Sequence, residues 1–510
     1  MKNSSIKIAL MILAFTLPTS ISQATYRSDS DTGTDILDGI ENARREERAS
    51  RLTGEQKRFL EELRIARQRA GYPSDSNEDM IPIAFEGDDL QYDEVTGDFV
   101  ATGKVDVIQL DGHRFQTDRL TGNMKDQTIS VPGNAHVIQL MEGAPRITLD
   151  GFQANYSVKD KTGSMQNAKG KVGEYYLSGK RFEFYPDRII IHDGVQTKCG
   201  AKIPDYSLKA KRIEIINQEV VRMYDVKFLI KNNVVGGRKF YEKKIGEDSS
   251  KDFPRVGYND KHGVYIEQRL QHPIASHIDA NLNLRAETKY GIRSNADISY
   301  WNRGLSIRGV YGFYGDDDYV WMQKEPGAIV EFSRKLGDLP LSYNLKYEAG
   351  HWRQESIAST HQYYEVGLTR DPIHFHNWEL RLHTSYSVTK ESLDDSTVNG
   401  INYDAVIGKA FTPKFAAYSG YHYSKNTNKN SIFDFDLDDY SKKLDAGLSY
   451  QVTDIDRFVF GIEYNVDDGV IGATDYFWYR DLHCSQLILR YRIKKDHDDR
   501  FEAHWNFLPW

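Results

Sequence analysis

The chain has 510 residues, including 66 Lys or Arg, 74 Asp or Glu, 32 Tyr, 39 Gly and 14 Pro. This length and composition predict two or more folded domains. The longest largely apolar run, residues 8–17, is shorter than the roughly 20 residues that a transmembrane helix needs, which excludes a helical membrane protein. A mean hydropathy of -0.61 still allows a membrane β-barrel, in which lipid-facing residues alternate with polar ones.

Residues 1–24 have the features of a secretory signal peptide. Lys2 and Lys7 precede the apolar run. The small residues Ser22 and Ala24 occupy the two positions that a signal peptidase recognises. We therefore expect an exported chain. Loss of two lysines from the 66 basic residues leaves the mature chain net acidic, which argues against a general nucleic-acid-binding protein.

The two cysteines lie far apart in the chain. Cys199 and Cys484 are separated by 285 residues, unlike the close spacing of a zinc site. In an oxidising compartment they could form a disulfide, and two buried free thiols are the alternative. The cysteine count alone does not decide between them.

Residues 25–80 predict a charged helical spacer. Thr53 and Gln56 have the spacing of a capping box, and Phe59 and Leu63 follow at helical spacing. Interleaved acidic and basic side chains of this kind usually face water. We therefore expect a solvated helix here.

Residues 87–216 repeat with a period near 30. Alternate residues of a strand share one face, and turn residues such as Thr96-Gly97 send the chain back, so each unit predicts a hairpin. Such hairpins must stack to bury their apolar faces, which predicts an elongated antiparallel β structure with an apolar interior. The paired positions of the five units are Leu90 and Tyr92, Leu120 and Gly122, Ala154 and Tyr156, Phe182 and Phe184, and Ile213 and Ile215.

Residues 251–510 show longer alternating segments rich in Tyr and Trp. One example runs from Ile278 to Glu287, with apolar residues on one face and polar residues on the other. Segments of about 10 residues with aromatic ends predict an antiparallel outer-membrane β-barrel of about 14–16 strands. A soluble β-sandwich is the alternative, but its strands are usually only about 5 to 6 residues long.

The sequence contains no GxSxG, HExxH or P-loop motif, so it predicts no enzyme, no cofactor and no metal site. The acidic runs at residues 316–318 and 434–439 predict solvated loops. An exported β structure with an apolar lining, followed by a barrel with a polar lumen, instead predicts a conduit for an amphiphile. The residues expected to contact its acyl chains, unless they only fill the core, are Leu90, Tyr92, Tyr156, Phe182, Phe184, Ile213 and Ile215.

Four segments, in two regions of the chain, resemble a known family. Residues 92–105, YDEVTGDFVATGKV, resemble the repeat of OstA-type periplasmic domains. The segments FPRVGY from Phe253, KHG from Lys261 and IASHIDA from Ile274 resemble the start of the barrel in the LptD family of LPS-assembly proteins. Together these regions cover most of the mature chain.

This resemblance implies an all-β fold with an OstA-like β-jellyroll in the periplasm, residues 81–250, and a barrel in the outer membrane. It implies that the jellyroll receives lipopolysaccharide from a periplasmic OstA-type bridge protein and that the barrel releases it sideways among the outer membrane lipids. A plug lipoprotein inside the barrel is a further implied partner. The segments around Cys199 and Cys484 resemble those that hold family cysteines, which implies a disulfide between them.

The chain departs from the family pattern at three points. Cys484 is followed by Ser485 where the family has a cysteine pair, and the barrel region is short. Ser276 stands where the family often has a proline that weakens strand pairing at a lateral gate. Pro273 lies three residues earlier, so we expect the gate at Pro273 and Ser276.

Two other functions remain open at the sequence level. One is a porin-like diffusion channel or receptor with a periplasmic domain. The other is a barrel-embedded lipid hydrolase, for which His383 and Ser385 are the pair to test.

Overall fold

The computed structural model describes residues 31–71, 83–141, 146–157, 159–217, 219–244, 253–316, 319–426, 431–435, 441–495 and 499–507. The predicted signal peptide lies outside these residues. No described helix combines the length and apolar character that a membrane crossing requires.

Two helices precede the β structure, α1 (Asp31–Ser50) and α2 (Gly54–Ala70). The predicted capping box of Thr53 is present, with its hydroxyl accepting from the Gln56 N–H and the Gln56 side chain accepting from the Thr53 N–H. The expectation of a water-facing helix is wrong in one respect. Phe59 and Leu63 are buried, because one face of α2 packs on the β-sheet that follows.

The N-terminal sheet has twelve antiparallel strands, and from β3 onward each pairs with the next along the chain. β1 and β2 both pair with β3 at one edge, and β12 forms the other edge. The strands are β1 (Ile83–Glu86), β2 (Asp89–Tyr92), β3 (Asp98–Gln109), β4 (His113–Asn123), β5 (Thr128–Gln139), β6 (Ile147–Ser157), β7 (Thr162–Val172), β8 (Tyr175–Phe184), β9 (Arg188–Thr197), β10 (Tyr206–Ile216), β11 (Val220–Ile230) and β12 (Asn233–Lys244).

A line of irregular residues crosses the middle of this sheet. Backbone pairing is interrupted near the middle of β3, β4, β5 and β6. Bulges of this kind bend the strands that carry them. The sheet therefore bends along this line, which brings the two halves of one face together. Left-handed φ values occur at mid-strand in Lys104, Gln153, Asn167, Asp193 and Asp225.

The face inside the bend, called the inner face below, carries the apolar core. Residues from both halves of each strand belong to one buried cluster, for example Ala101 with Val105 and Leu149 with Ala154. Helix α2 packs on the opposite face, against Leu110 among others. Within the described part of the chain, the inner face is thus covered mainly by itself.

The expected jellyroll is not confirmed. A jelly roll contains Greek-key connections, whereas neighbouring strands of this sheet follow one another in the chain. The all-β class and the stacked hairpins are present in the structure. The topology is a meander folded over on itself.

The C-terminal region is a closed antiparallel barrel of 16 strands, the upper end of the expected range. The two-residue strand β16 pairs only with the end of β15, which continues its pairing with β17. The strands are β13 (Arg255–Asn259), β14 (Gly263–Ala275), β15 (Ile278–Glu287), β16 (Gly291–Ile292), β17 (Asn295–Asn302), β18 (Leu305–Gly315), β19 (Trp321–Lys335), β20 (Leu341–Gln354), β21 (Ile357–Phe375), β22 (Trp378–Glu391), β23 (Thr397–Thr412), β24 (Phe415–Asn426), β25 (Lys442–Gln451), β26 (Asp456–Asn465), β27 (Val470–Leu482), β28 (Ser485–Lys494) and β29 (Arg500–Phe507).

The barrel is of the outer-membrane type, with an apolar outer surface and a polar lumen. On β25, Leu444 and Leu448 are exposed on the outside, whereas Lys443 and Asp445 are buried on the inside. The same alternation places aromatic and aliphatic residues on the outer surface of the other strands. This pattern matches a wall that separates lipid from a polar interior.

Gly122 of β4 is one position where the apolar repeat requires a glycine. A Cβ there would lie 2.6 Å from the ring of Phe99 and 2.3 Å from the Thr128 carbonyl oxygen. We predict that Gly122→Val destabilises the sheet by about 1 to 3 kcal/mol through overpacking. Hydrogen exchange measured by mass spectrometry should show faster exchange in β3, β4 and β5. Gly133→Val is the matched control because its Cβ meets open space, and equal exchange in both variants would contradict the packing.

Candidate lipid-binding site

The inner face of the N-terminal sheet is graded from a closed centre to an open rim. Phe182 and Ile213 have 0% of their surface exposed. By contrast, Leu90 is 55%, Tyr92 53% and Tyr156 40% exposed. Leu90 and Tyr92 pair directly with inner-face residues of β3, so they lie on the same face at its first edge. We call these three exposed residues the rim.

The seven predicted lipid contacts therefore divide into two groups. Leu90, Tyr92 and Tyr156 form the rim, and Phe184 is half-buried beside it. Phe182, Ile213 and Ile215 are packed in the core. Contact of these seven residues with lipid stays a prediction, and the three packed residues also fill the core, which is the alternative that the sequence left open. Acyl chains can reach the buried three only if the two halves of the sheet separate.

The phenol of Tyr156, on the rim, is partly buried and is affected by a carboxylate of the β3–β4 turn. Burial raises the pKa of the Tyr156 phenol, and the negative charge of Asp111 raises it further. Tyr156 lies near the end of β6, whereas Asp111 lies in the β3–β4 turn at the opposite ends of the strands.

An aromatic cluster joins the inner face to the barrel. The Tyr206 ring of β10 lies 5.0 Å from Phe253, just before β13, and 5.2 Å from Phe507, at the end of β29. Phe253 and Phe507 are themselves 5.1 Å apart. All three rings belong to the buried cluster of the inner face. The apolar core of the sheet therefore continues to the first and last strands of the barrel. We call these three residues the aromatic junction.

A disulfide between Cys199 and Cys484 lies beside this junction, which confirms the implied pairing. It joins the β9–β10 loop to the β27–β28 turn. Asp205 contacts both cysteines of the disulfide. Its carboxylate accepts from the Cys484 N–H at 3.2 Å, and its own N–H contacts the Cys199 Sγ at 3.4 Å. Lys231 pairs with the same carboxylate.

The barrel closes through a short seam next to the aromatic junction. In the described part of these strands, four residues of β13 pair with β29, from Val256 to Asn259. The β14–β15 pairing, by comparison, has ten residue pairs. Because fewer backbone hydrogen bonds must break, the β13–β29 seam is the easiest place to part these strands.

The predicted gate residues lie at the end of β14, beyond the residues of β14 that pair with β13, and not on this seam. Pro273 is in β14 opposite Asp279 of β15, where the register shifts, and Ser276 follows in the turn. Proline cannot donate to the strand ladder. Their role in a gate remains a prediction.

Helix α1 lies inside the barrel, which the sequence reasoning missed. Ile36 and Leu37 are buried against residues that face the lumen, among them Val406, Tyr418 and Tyr479. A Cβ on Gly408 would lie 2.2 Å from Ile36 Cγ2, so the wall is shaped to this helix. The signal in the sequence was a short apolar group, Ile36, Leu37 and Ile40, at helical spacing within a charged segment.

Charged contacts hold α1 to the barrel wall. Arg45 donates to both carboxylate oxygens of Asp481, at 2.8 and 2.9 Å. Arg457 of β26 donates to Asp38 at 2.5 Å, and Arg44 donates to the Thr412 carbonyl oxygen at 2.7 Å. Asp481 and Thr412 lie at the barrel end that carries Cys484, called the near end below, so α1 occupies the near end of the lumen.

The opposite end, called the far end below, is narrowed by residues 431–435. Phe433 and Phe435 are buried against Trp352 and Met322 in a separate apolar cluster. Trp352 also stacks on His361 at 3.5 Å. The described residues thus fill part of the lumen from both ends.

The candidate hydrolase pair does not face lipid. His383 and Ser385 are two residues apart on β22, so both face the lumen. His383 contacts Thr369, and Ser385 accepts a hydrogen bond from Asn402. In the described residues, the one group with metal-ligand spacing is Cys199, Asp205 and Cys484, and its two sulfurs are joined as a disulfide.

Comparison with family models and with curated proteins gives no match. Among solved structures, a mutant of the Rh. blastica porin is similar, with 9% identity and a TM-score of 0.29, over 50% of this chain and 97% of that one. A bacterial polysaccharide outer membrane secretin is similar at 11% identity and a TM-score of 0.33, over 51% of this chain and 99% of that one.

We predict that Asp205→Ala lowers the fraction of chains with the disulfide. The substitution removes the acceptor of the Cys484 N–H, so the β27–β28 turn is held less firmly in place before the two thiols form the disulfide. Alkylation of free thiols with a mass tag, followed by a non-reducing gel, measures this fraction. Glu242→Ala, which removes an exposed carboxylate paired with Arg222 on the same sheet, is the control. Full oxidation of the Asp205 variant would contradict this role.

We predict that Gly408→Val displaces α1 from the lumen. The valine side chain would overlap Ile36, while the rest of the helix and its charges stay unchanged. Ion conductance in a planar bilayer should rise several-fold as the near end opens. Gly309→Val, in the wall of the same barrel with open space around its Cβ, should conduct like the parent chain. Unchanged conductance in both variants would show that α1 does not restrict the lumen.

Proposed function

We propose that this protein transfers lipopolysaccharide to the outer leaflet of the outer membrane. The N-terminal sheet, placed in the periplasm, takes up the acyl chains, and the barrel releases the lipid laterally. The transfer makes and breaks no covalent bond. This function goes beyond the barrel fold, and it rests on the contacts set out below.

The observation that carries the proposal is the continuity of apolar surface from the inner face to the barrel seam. The aromatic junction links the core of the sheet to β13 and β29 without a polar break. Each acyl CH₂ that stays out of water is worth about 0.8 kcal/mol. A lipid passing between the two domains therefore needs such an apolar route.

The rim supplies a place for the lipid to arrive. Leu90 and Tyr92 are exposed at the first edge of the sheet, where β3 is the one strand that pairs with β2 among the residues described. An open edge strand can accept a strand from another sheet. We propose that a periplasmic OstA-type bridge protein pairs there, so that its own apolar face continues into this one.

Passage through the closed centre requires the two halves of the sheet to move apart. The bulges at mid-strand give a line along which the sheet can flex, because regular pairing is already interrupted there. The cost is exposure of core side chains such as Phe182 and Ile213. Entering acyl chains would replace the lost contacts.

The disulfide keeps the sheet and the barrel aligned during this movement. Cys199 and Cys484 join the two domains next to the aromatic junction. We propose that α1 fills the near end of the lumen in place of the plug lipoprotein implied by the family resemblance. The short barrel then needs no second chain inside it.

A porin-like channel is the second candidate, because a closed 16-strand barrel is equally consistent with it. A channel needs an open lumen. The burial of α1 against the wall and of Phe433 and Phe435 at the far end favours transfer over steady conduction.

Photocrosslinking in living cells tests the proposal. A crosslinking amino acid at Tyr92 or Tyr156 should label lipopolysaccharide, because both side chains are exposed on the apolar rim. Gln91 is the matched control, since it neighbours Tyr92 on β2 but points to the other face. Probes at Phe184 and Ile215 should label more weakly, because they are less exposed.

Two outcomes would reject the proposal. Equal labelling at Gln91 and Tyr92 would mean that the apolar face has no special role. Depletion of the protein with unchanged lipopolysaccharide at the cell surface would exclude transfer and favour the channel.

A further inference from the structure

The far end of the barrel carries a cluster of aromatic and basic side chains beside the closing seam. The ring of His262, in the β13–β14 turn, lies 5.0 Å from Tyr290, 5.1 Å from Tyr319 and 5.8 Å from Trp321. Tyr319 donates to Glu502 of β29 at 3.0 Å, so the cluster contacts the last strand. We call these four rings and the two arginines described next the outer cluster.

Two guanidinium groups share one indole in this cluster. The Cζ of Arg293 lies 4.8 Å from the centre of the Trp321 ring, and the Cζ of Arg285 lies 5.4 Å from it. Arg293 also lies 4.3 Å from the centre of the Tyr290 ring. Aromatic faces attract cations. Two positive charges this close to one ring repel each other, and a single carboxylate, that of Glu287, acts on both.

The acceptors of the outer cluster are already engaged. One carboxylate oxygen of Glu287 accepts from Arg285 Nε at 2.6 Å, and the other contacts His262 Nδ1 at 2.7 Å. Glu267 uses one oxygen for Arg255 and the other for Arg285. The two carboxylates closest to Arg285 therefore have a donor on every oxygen.

Donors, by contrast, remain without acceptors. Arg285 Nη2 and Trp321 Nε1 are buried and have no hydrogen-bond partner. Among the described residues, Arg293 has no carboxylate within ion-pair distance. Two buried donors at this indole thus lack acceptors, and Arg293 adds a positive charge beside them. A buried donor left unpaired costs about 1 to 3 kcal/mol. An anionic ligand with several oxygens would satisfy them.

The exposed ring of Tyr290 adds a second element of recognition. It is 55% exposed at the far end, next to Arg293. A flat exposed aromatic face can pack against the apolar C–H face of a sugar ring, while arginine forks match phosphate oxygens. The combination suits a phosphorylated sugar better than a free inorganic ion.

We infer that the outer cluster binds the phosphorylated sugar head of a glycolipid, with Arg285, Arg293 and the Trp321 N–H donating to phosphate and Tyr290 packing on the sugar. This inference rests on the proposed function, since it assigns the contact of the lipid head at the far end of the seam. The acyl chains would leave through the seam toward lipid while the head stays at this cluster.

Isothermal titration of the full chain in detergent tests this inference. The probe is a bisphosphorylated glucosamine disaccharide without acyl chains, and inorganic phosphate is the second titrant. Arg293→Gln should weaken binding of the disaccharide by about tenfold, which corresponds to the loss of a charged hydrogen bond. Trp321→Phe, which keeps a ring but removes the N–H, should weaken it less.

Arg353→Gln is the matched control, because Arg353 lies near the far end of β20 and pairs with Glu325, which is not part of the outer cluster. It should bind like the parent chain. Equal binding by the Arg293 and Arg353 variants would overturn the assignment, and so would inorganic phosphate binding as tightly as the disaccharide. Because titration involves no transport, failure here would reject this site alone. The proposed function would still stand if surface lipopolysaccharide falls on depletion and returns when the depleted cells are complemented with the Arg293→Gln variant.

Discussion

The need to cover one long apolar sheet face dominates the structure. Twelve antiparallel strands present a continuous apolar surface, and α2 packs on the opposite face. Burying such a surface is worth about 25 cal/mol per Å². The mid-strand bulges let the sheet fold over and bury it against itself. The same surface that stabilises the closed sheet is the one that acyl chains would use when it opens.

The junction with the barrel follows from the same requirement. The last part of the inner face would be exposed at the end of the sheet if Phe253 and Phe507 did not cover it. Phe253 precedes the first barrel strand and Phe507 ends the last one, so their apolar packing fixes the sheet beside the seam. The disulfide and Asp205 then fix this contact covalently and by hydrogen bonds. Packing alone would leave the two domains free to separate.

The sequence predicted the parts of the fold that depend on local patterns. Alternation on β25 and the repeat pairs such as Ala154 and Tyr156 reveal which residues share a face. Even Gly122, the exception in the repeat, has a local cause in the ring of Phe99. Contacts between distant segments were not predictable in this way. Arg45 meets Asp481 across 436 positions of the chain, and no spacing rule connects them.

The position of α1 inside the barrel could not be predicted from its charges, for a physical reason. The charges of α1 that suggested a helix in water are the groups that a polar lumen can pair, as Asp38 does with Arg457. A charged helix is therefore compatible with two surroundings, bulk water and the inside of a barrel, and its composition does not distinguish them. The distinguishing signal was the small apolar group at Ile36 and Leu37. It is too short to bury a helix on a large core, but it matches the narrow apolar patch formed by Val406 and Tyr479 inside the wall.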